Sequence, residues 1–208
     1  MTDRLVERTL RAFSDDLASS AAVPGGGSAA AYSGAMGAAL AAMVGRIAER
    51  KEATDATSTL IAEADNLRTD FIRLVDDDSA AYARVSEAMK LPKATAEEKS
   101  ARAERMQSAL LAASRVPLEV AKTSRRLLDL CERTVKTAAS ATVSDVGVGA
   151  LLAEAALRGA ALNVMINLAS VKDAAQVKVL SEDLDRAVDG ADAQLKRITD
   201  FVESRIAR

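Results

Sequence analysis

The 208-residue sequence contains no histidine, no tryptophan and a single cysteine, Cys131. Without histidine the chain cannot build the Ser-His-Asp or Cys-His arrangements of nucleophilic hydrolases. With one cysteine and no histidine, we do not expect a structural or catalytic zinc site. A lone cysteine cannot form an internal disulfide, which is typical of a reducing compartment. We therefore expect a cytoplasmic protein whose chemistry depends on carboxylate, amide, hydroxyl, lysine and backbone groups.

Several other features are scarce. Aromatic residues make up 2% of the chain, and the net charge is only −2, with both signs mixed throughout. A basic stripe of the kind that binds nucleic acid is missing. The most apolar segment, 29–44, is shorter than an ordinary membrane span and contains Gly34 and Gly37, so we expect no membrane partner. Residues 1–12 are charged and amphipathic, unlike a signal peptide.

Apolar residues recur at helical spacing along almost the whole chain, and runs of alternating β-branched residues are missing. The alanine-rich composition favours helices that pack closely. The sequence predicts an all-α fold, a single domain over 1–208 in the form of a helical bundle of about seven to nine helices. The predicted helices cover about 3–17, 28–50, 55–89, a segment capped by Thr95 and Glu98, a segment that begins or kinks at Pro117, 145–170 and 174–206.

Three consecutive glycines, Gly25, Gly26 and Gly27, follow Pro24 and precede the second predicted helix. Glycine is tolerated where the chain turns tightly or approaches another group closely. Ser28 occupies the expected N-cap position. The segment predicts a loop whose amides face a pocket at a helix N-terminus, where carboxylate or phosphate oxygens are favoured. A loop that merely lets a helix enter a crowded core is the structural alternative, and the loop alone does not decide between them.

An aspartate interrupts the apolar stripe of the third predicted helix. Asp78 takes the position that continues the stripe between Leu74 and Ala81, whereas Asp76 and Asp77 lie off it and are expected to face solvent. A desolvated carboxyl group has a raised pKa unless a cation or hydrogen bonds compensate. Such a group is suited to proton transfer near neutral pH. The alternative is an aspartate at a helix bend or in a buried polar contact.

Two asparagines lie four residues apart on one flank of the helix that follows Ser144. The carboxamides of Asn163 and Asn167 offer donors and acceptors together, which suits a heterocycle with alternating nitrogens and carbonyls. Asparagines that tie neighbouring helices together would produce the same spacing. Asp145, in the first turn, also fits a simple interaction with the helix dipole.

Four ordered segments resemble the cyclodeaminase/cyclohydrolase family of folate enzymes. They read PGGGSAAAYSGAMGAALAAMV at 24–44, LVDDDSAAY at 74–82, LPKATAEEK at 91–99 and SDVGVGALLAEAALRGAALNVMINL at 144–168. Segment 46–53 departs from the family pattern, since it lacks the usual Asn-Leu-Thr and the aromatic residue that follows it. Any substrate contact that relatives make there is therefore in doubt for this chain.

The resemblance implies a homodimer that acts on one-carbon units of tetrahydrofolate, with Asp78 as the catalytic general acid and base. It also implies that the glycine loop and segment 144–167 line a folate pocket. The substrate-binding residues implied in this way are Gly25, Gly26, Gly27, Ser28, Lys93, Asp145, Asn163 and Asn167.

Two reactions of 5,10-methenyltetrahydrofolate fit this family. A cyclohydrolase adds water to the amidinium carbon and yields 10-formyltetrahydrofolate, and segments 91–99 and 157–164 favour this activity. A cyclodeaminase forms the same cation from 5-formiminotetrahydrofolate with loss of ammonia, and it remains the alternative. Neither reaction requires a metal or a bound cofactor, because the folate is the substrate. A non-catalytic helical interaction module would be expected to have an apolar residue at position 78 and no glycine loop.

Overall fold

The structure, a computed structural model, describes residues 4–207, and these residues form helices without any strand. The all-helical prediction is confirmed for a single domain. Chain order begins with a 3-10 turn at Leu5–Glu7, followed by seven α-helices. They are α1 (Leu10–Leu17), α2 (Gly26–Glu49), α3 (Asp55–Lys90), α4 (Ala96–Thr137), α5 (Val143–Leu168), α6 (Ala174–Val188) and α7 (Ala191–Ile206).

The bundle differs from the predicted one in how the helices divide the chain. Only α2 to α7 have 15 residues or more, so six substantial helices stand in place of the seven to nine expected, and α1 adds a short seventh. The predicted helix over 174–206 is broken at Gly190, whose φ of 68° is left-handed and cannot continue an α-helix. Of the two alternatives predicted at Pro117, a helix start is wrong, because α4 continues through this residue.

Helices α2 and α5 run antiparallel through the centre of the bundle, and small residues let them touch. A Cβ on Gly37 would lie 2.8 Å from the carbonyl oxygen of Gly149, and a Cβ on Gly159 would lie 3.2 Å from the Cβ of Ala30. On the other side of α2, a Cβ on Gly34 would overlap the ring of Phe71 in α3. These glycines therefore permit the close helix packing that the alanine-rich composition favours.

By length and composition alone, α2 and α5 could each cross a membrane. Of the most apolar stretch of α2, 61% is buried inside the bundle, as expected of the core helix of a globular protein. The corresponding fraction for α5 is 39%, because one side of this helix presents apolar side chains to the surface. The exposed apolar residues of α5 are Val148, Leu151, Leu162, Met165 and Ile166.

Proline inside α4 leaves a carbonyl without its helical partner. Pro117 has no N–H to donate to the carbonyl of Ala113, four residues earlier. Asn167 of α5 supplies the missing donor, since its Nδ2 lies 2.9 Å from that carbonyl oxygen. The interpretation of this asparagine as a tie between helices is therefore correct, and it explains how α4 tolerates an internal proline.

The turn between α3 and α4 follows the sequence prediction. The Thr95 hydroxyl accepts a hydrogen bond from the Glu98 amide at 3.1 Å, and the Glu98 carboxylate accepts from the Thr95 amide at 3.1 Å. This confirms the predicted capping box. A further hydrogen bond to the same carboxylate comes from the Ala94 amide at 2.7 Å. The capping box thus fixes the backbone that carries Lys93.

We expect Asn167→Ala to lower the free energy of unfolding by about 1–3 kcal/mol, because the Ala113 carbonyl loses its donor. In a Pro117→Ala background the new backbone amide can satisfy that carbonyl, so the same substitution should cost much less. Chemical denaturation of the four proteins of this double-mutant cycle measures the difference. Equal costs in both backgrounds would show that Asn167 does not serve the proline site.

Candidate active site

Asp78 lies where α3 crosses the N-terminal turn of α2. The Ser28 hydroxyl is 2.9 Å from Oδ2 of Asp78 and 3.2 Å from the Val75 carbonyl oxygen, and it can donate to either. A Cβ on Gly27 would lie 2.5 Å from the Asp78 carboxyl carbon and would overlap Oδ1. Only glycine at position 27 leaves room for the carboxyl group in this place.

Burial raises the pKa of the Asp78 carboxyl above its ordinary value of 3.8, because the charged form loses hydration. Hydrogen bonds from the Ser28 side chain and backbone act in the opposite direction and are the smaller effect. The carboxyl group is thus partly desolvated and still held by a donor. This combination suits a group that must both accept and return a proton.

The N-terminus of α2 is organised differently from the sequence prediction. The N-cap is Gly25, and the helix begins at Gly26, so Ser28 is the third helical residue rather than the cap. Its hydroxyl points across to α3 instead of back to the helix amides. Gly25 has no side chain to cap the helix, and the Ser28 amide is directed to Asp78, so the Gly26 and Gly27 amides are the ones without a side-chain cap.

A cavity of about 320 Å³ opens in front of Asp78. We call it the Asp78 cavity. The glycine loop forms one wall, Asn163 and Asn167 of α5 form another, and apolar residues complete the lining. Its lining residues are Ala22, Val23, Gly25, Gly26, Gly27, Asp78, Ala81, Tyr82, Val85, Met89, Leu110, Ala113, Asn163, Ile166, Asn167 and Ser170.

The two asparagines on this wall differ in their hydrogen bonds. Nδ2 of Asn163 donates to the carbonyl of Gly159 at 2.8 Å in its own helix, which fixes the side chain and leaves its oxygen open to a ligand. This carboxamide stands opposite Gly26, where a Cβ would lie 3.6 Å from Nδ2. Asn167, by contrast, has Nδ2 committed to Ala113. Asn163 is therefore the better placed of the two to contact a bound molecule.

The three consecutive aspartates have separate environments. Asp76 accepts hydrogen bonds at 2.9 Å from the Arg4 side chain and from the Leu5 amide, so it holds the start of the chain rather than facing solvent as predicted. Asp77 forms an exposed ion pair with Arg73 one turn earlier in the helix. Only Asp78 reaches the cavity.

The remaining predicted site residues fall into three places. Ser28 is fully buried beneath Asp78 and is not part of the cavity wall, so it positions the carboxyl group. Lys93 lies in an adjoining cavity. Asp145 lies in the first turn of α5, about 27 Å along the helix axis from Asn163, and the structure does not bring it to this cavity.

Sequence reasoning missed Tyr82 as a cavity residue. The structure buries Ala81, which ends the predicted stripe, and leaves the next residue, Tyr82, 43% exposed in the lining of the cavity. Its position one helical turn after Asp78 is the signal that could have identified it.

Other reactive groups are not available nearby. Burial raises the pKa of the Cys131 thiol to about 12, so this cysteine is an inert core residue. Within residues 4–207, acidic and cysteine side chains do not gather in groups of three or more that could hold a metal ion. The chemistry available at this site is therefore that of one carboxyl group, carboxamides, a phenol and helix amides.

We expect Asp78→Asn to raise the melting temperature near neutral pH. A carboxyl pKa that is raised by folding stabilises the protein fully below the unfolded value of 3.8, and this contribution is lost as pH rises through the folded pKa. The neutral amide of asparagine does not lose this contribution. Each kcal/mol gained in the free energy of unfolding raises the melting temperature by about 2–4 °C. Thermal unfolding at about pH 7 and about pH 4 should show the gain shrinking in acid.

Asp77→Asn is the matched control, because it removes an exposed carboxylate from an ion pair that contributes little to stability. Its melting temperature should stay at or slightly below that of the wild type at both pH values. A marked loss of stability in Asp78→Asn near neutral pH would mean that the folded protein favours the carboxylate.

Comparisons with known proteins identify the family of this chain. Residues 9–186 match the family model described as formiminotransferase-cyclodeaminase. A methenyltetrahydrofolate cyclohydrolase of Methylorubrum extorquens is 39% identical over 202 residues, which cover 95% of this chain and 97% of that protein. A formimidoyltransferase-cyclodeaminase of Sus scrofa is 36% identical over 207 residues, which are 98% of this chain and 38% of that longer protein.

A solved structure is also similar. The crystal structure of a formiminotetrahydrofolate cyclodeaminase from Thermotoga maritima superimposes with a TM-score of 0.84 and 25% sequence identity, over 95% of this chain and 97% of that one. The resemblance seen in the sequence is therefore confirmed. The chain belongs to the formiminotransferase-cyclodeaminase family.

Proposed function

We propose that this protein is a methenyltetrahydrofolate cyclohydrolase, which hydrolyses 5,10-methenyltetrahydrofolate reversibly to 10-formyltetrahydrofolate. The observation that carries the proposal is the partly desolvated carboxyl group of Asp78, which faces a cavity beside open helix amides and Asn163. The Methylorubrum extorquens relative that bears this name matches along nearly its whole length. That match favours hydrolysis over the second reaction known in the family.

In the proposed mechanism the Asp78 carboxylate attracts the amidinium cation, and exclusion of water strengthens this attraction. Water attacks the amidinium carbon while the carboxylate takes one of its protons, which gives a neutral tetrahedral adduct. Asp78 then returns the proton to N5 as the bond between that carbon and N5 breaks. The adduct hydroxyl loses its proton to solvent as the formyl C=O forms, so one proton is released per turnover.

Ser28 and Asn163 have supporting roles in this mechanism. The Ser28 hydroxyl holds Oδ2 of Asp78 at 2.9 Å, so the carboxyl group keeps its orientation in both protonation states. The open oxygen of Asn163 can accept a hydrogen bond from an N–H of the pteridine ring. Neither a metal nor a cofactor takes part.

The second candidate is formimidoyltetrahydrofolate cyclodeaminase. It is favoured by the similarity in fold to the Thermotoga maritima cyclodeaminase, a chain that this protein covers almost completely. In that reaction N10 attacks the formimino carbon and its proton passes to the formimino nitrogen. Asp78 as the acid then protonates this amino group, which leaves as ammonia as the methenyl cation forms. The same carboxyl group would serve, so the site alone does not separate the two substrates.

We expect Asp78→Asn to lower kcat for methenyltetrahydrofolate hydrolysis by about 10²-fold or more, the usual scale for loss of a general acid-base group. The absorbance of the methenyl form follows the reaction directly, and parallel assays with 5-formiminotetrahydrofolate test the second candidate. Asp77→Asn, the control, should retain wild-type turnover. An Asp78→Asn protein with wild-type kcat would remove this residue from the mechanism.

We also propose a homodimer formed through α5 and the neighbouring face of α2. The exposed apolar residues of α5 fall into two groups, at 148–151 and at 162–166. Leu151 and Leu162 are eleven residues apart, which is about three helical turns, so both groups lie on the same face of the helix, as in a packing surface. Met36 and Met43 of α2, seven residues apart on one face of that helix, are also exposed. Because Ile166 belongs both to this surface and to the Asp78 cavity, a second copy seated here would border the active site.

The proposed dimer is tested with Leu151→Asp, a charge placed in the centre of this surface. Light scattering at micromolar concentration should give about twice the 21.8 kDa chain mass for the wild type and a single chain mass for the variant. Val179→Asp on α6 is the control, since Val179 is also 51% exposed but lies on another face.

A monomeric wild type would contradict the dimer. If the wild type instead floated with lipid vesicles and Leu151→Asp did not, lipid and not a second copy would cover the surface. The proposal as a whole describes a cytoplasmic enzyme that binds a small folate and neither nucleic acid nor membrane.

A further inference from the structure

A second cavity adjoins the Asp78 cavity and has a different chemical character. It has a volume of about 520 Å³ and shares Met89, Leu110 and Ser170 with the Asp78 cavity, so the two cavities adjoin, and we call them together the groove. Four positively charged side chains belong to its lining, and none of its described lining residues is acidic. We call it the lysine cavity. Its charged residues are Lys93, Lys99, Arg102 and Lys172.

The three lysines are available to a ligand. Within the part of the chain that the structure describes, the ammonium groups of Lys93, Lys99 and Lys172 form no hydrogen bond or ion pair, and all three residues are exposed. The nearby Glu98 carboxylate is occupied by the capping box and does not line the cavity. The positive charges therefore lack an internal counterion.

The backbone that carries these charges is held in place. Arg102 donates from its guanidinium group to the Met89 carbonyl at 3.2 Å, at the end of α3. Gln107 accepts from the Lys172 amide at 2.7 Å and donates to the Ser170 carbonyl at 3.1 Å, which fixes the segment after α5 against α4. Hydrogen bonds at two separate backbone segments thus hold the positively charged side chains along the same groove.

Resting on the proposed function, we propose that the lysine cavity binds the glutamate end of the folate. A folate has a polar ring system at one end, an aromatic linker, and glutamate carboxylates at the other end. With its reacting end at Asp78, the linker crosses the apolar section formed by Met89 and Leu110, and the carboxylates meet the lysines. Each additional glutamate adds negative charge, so substrates with several glutamates should bind more tightly.

A second basic cavity provides the competing site. It is lined by Arg46, Arg50 and Arg68 near the end of α2 and shares no residue with the Asp78 cavity. Arg46 and Arg68 already pair with Asp65. About twenty helical residues, or roughly 30 Å, separate Arg46 from Gly26, so this cavity does not continue the groove.

The experiment compares three methenyl substrates, with no glutamate, one glutamate and three glutamates, on the wild type and on Lys93→Gln, Lys172→Gln and the double variant. Arg50→Gln is the control. We expect the wild-type kcat/KM to rise with glutamate number. Each lysine variant should lose about three- to fivefold on the triglutamate through KM, as for partly exposed charge pairs, with kcat unchanged. The glutamate-free substrate should be unaffected, and added salt should reduce the differences.

Two results would overturn this assignment alone. One is a wild type that turns over all three substrates with equal kcat/KM. The other is a glutamate dependence that Arg50→Gln abolishes and the lysine variants preserve. Equal losses on all three substrates would also contradict it, because they would mark the lysines as structural. A wild type that converts neither these substrates nor 5-formiminotetrahydrofolate would overturn the proposed function together with this assignment.

Discussion

The contact between the N-terminal turn of α2 and the Asp78 carboxyl group is the constraint on which the site depends. Gly27 lacks a side chain, so the carboxyl group can lie against the helix backbone, and the Ser28 hydroxyl can reach it. The same contact has two opposing effects on the protonation of the Asp78 carboxyl group. Burial favours the neutral acid, whereas hydrogen bonds from Ser28 favour the carboxylate. A side chain at position 27 would separate the helices and lose both effects.

This contact is possible because α2 is built from small residues along its length. Gly34 admits the ring of Phe71 from α3, and Gly37 meets the backbone of α5 at Gly149. The three helices are therefore in close contact at several positions along α2. The register of α2 against α3 determines which residue of α3 contacts the glycine loop. Packing far from the cavity thus determines the position of the Asp78 carboxyl group. The glycines lower the stability of the helix, and close helix contact offsets this cost.

Much of this arrangement could be predicted from the sequence. Helical periodicity identified Asp78 as an aspartate in an apolar stripe, and local capping chemistry identified the turn at Thr95 and Glu98 correctly. The predictions that were wrong for Ser28 and Pro117 depend on residues that are distant in the sequence but close in the structure. Ser28 looks like an N-cap until α3 offers a different acceptor, and Pro117 looks like a helix boundary until Asn167 satisfies Ala113. The distance of Asp145 from Asn163, by contrast, could have been obtained from the sequence, because 18 residues of one helix span about 27 Å.

The most direct test of the central claim is a titration of the Asp78 carboxyl group itself. Carbon-13 NMR of aspartate carboxyl carbons, with the Asp78 signal identified by its loss in Asp78→Asn, gives the pKa in the folded protein. The account predicts a pKa above the ordinary 3.8, and the same pKa as the ascending limb of the pH profile of kcat/KM. A carboxyl group that titrates at or below its ordinary value, or a pH profile that follows another group, would contradict the account.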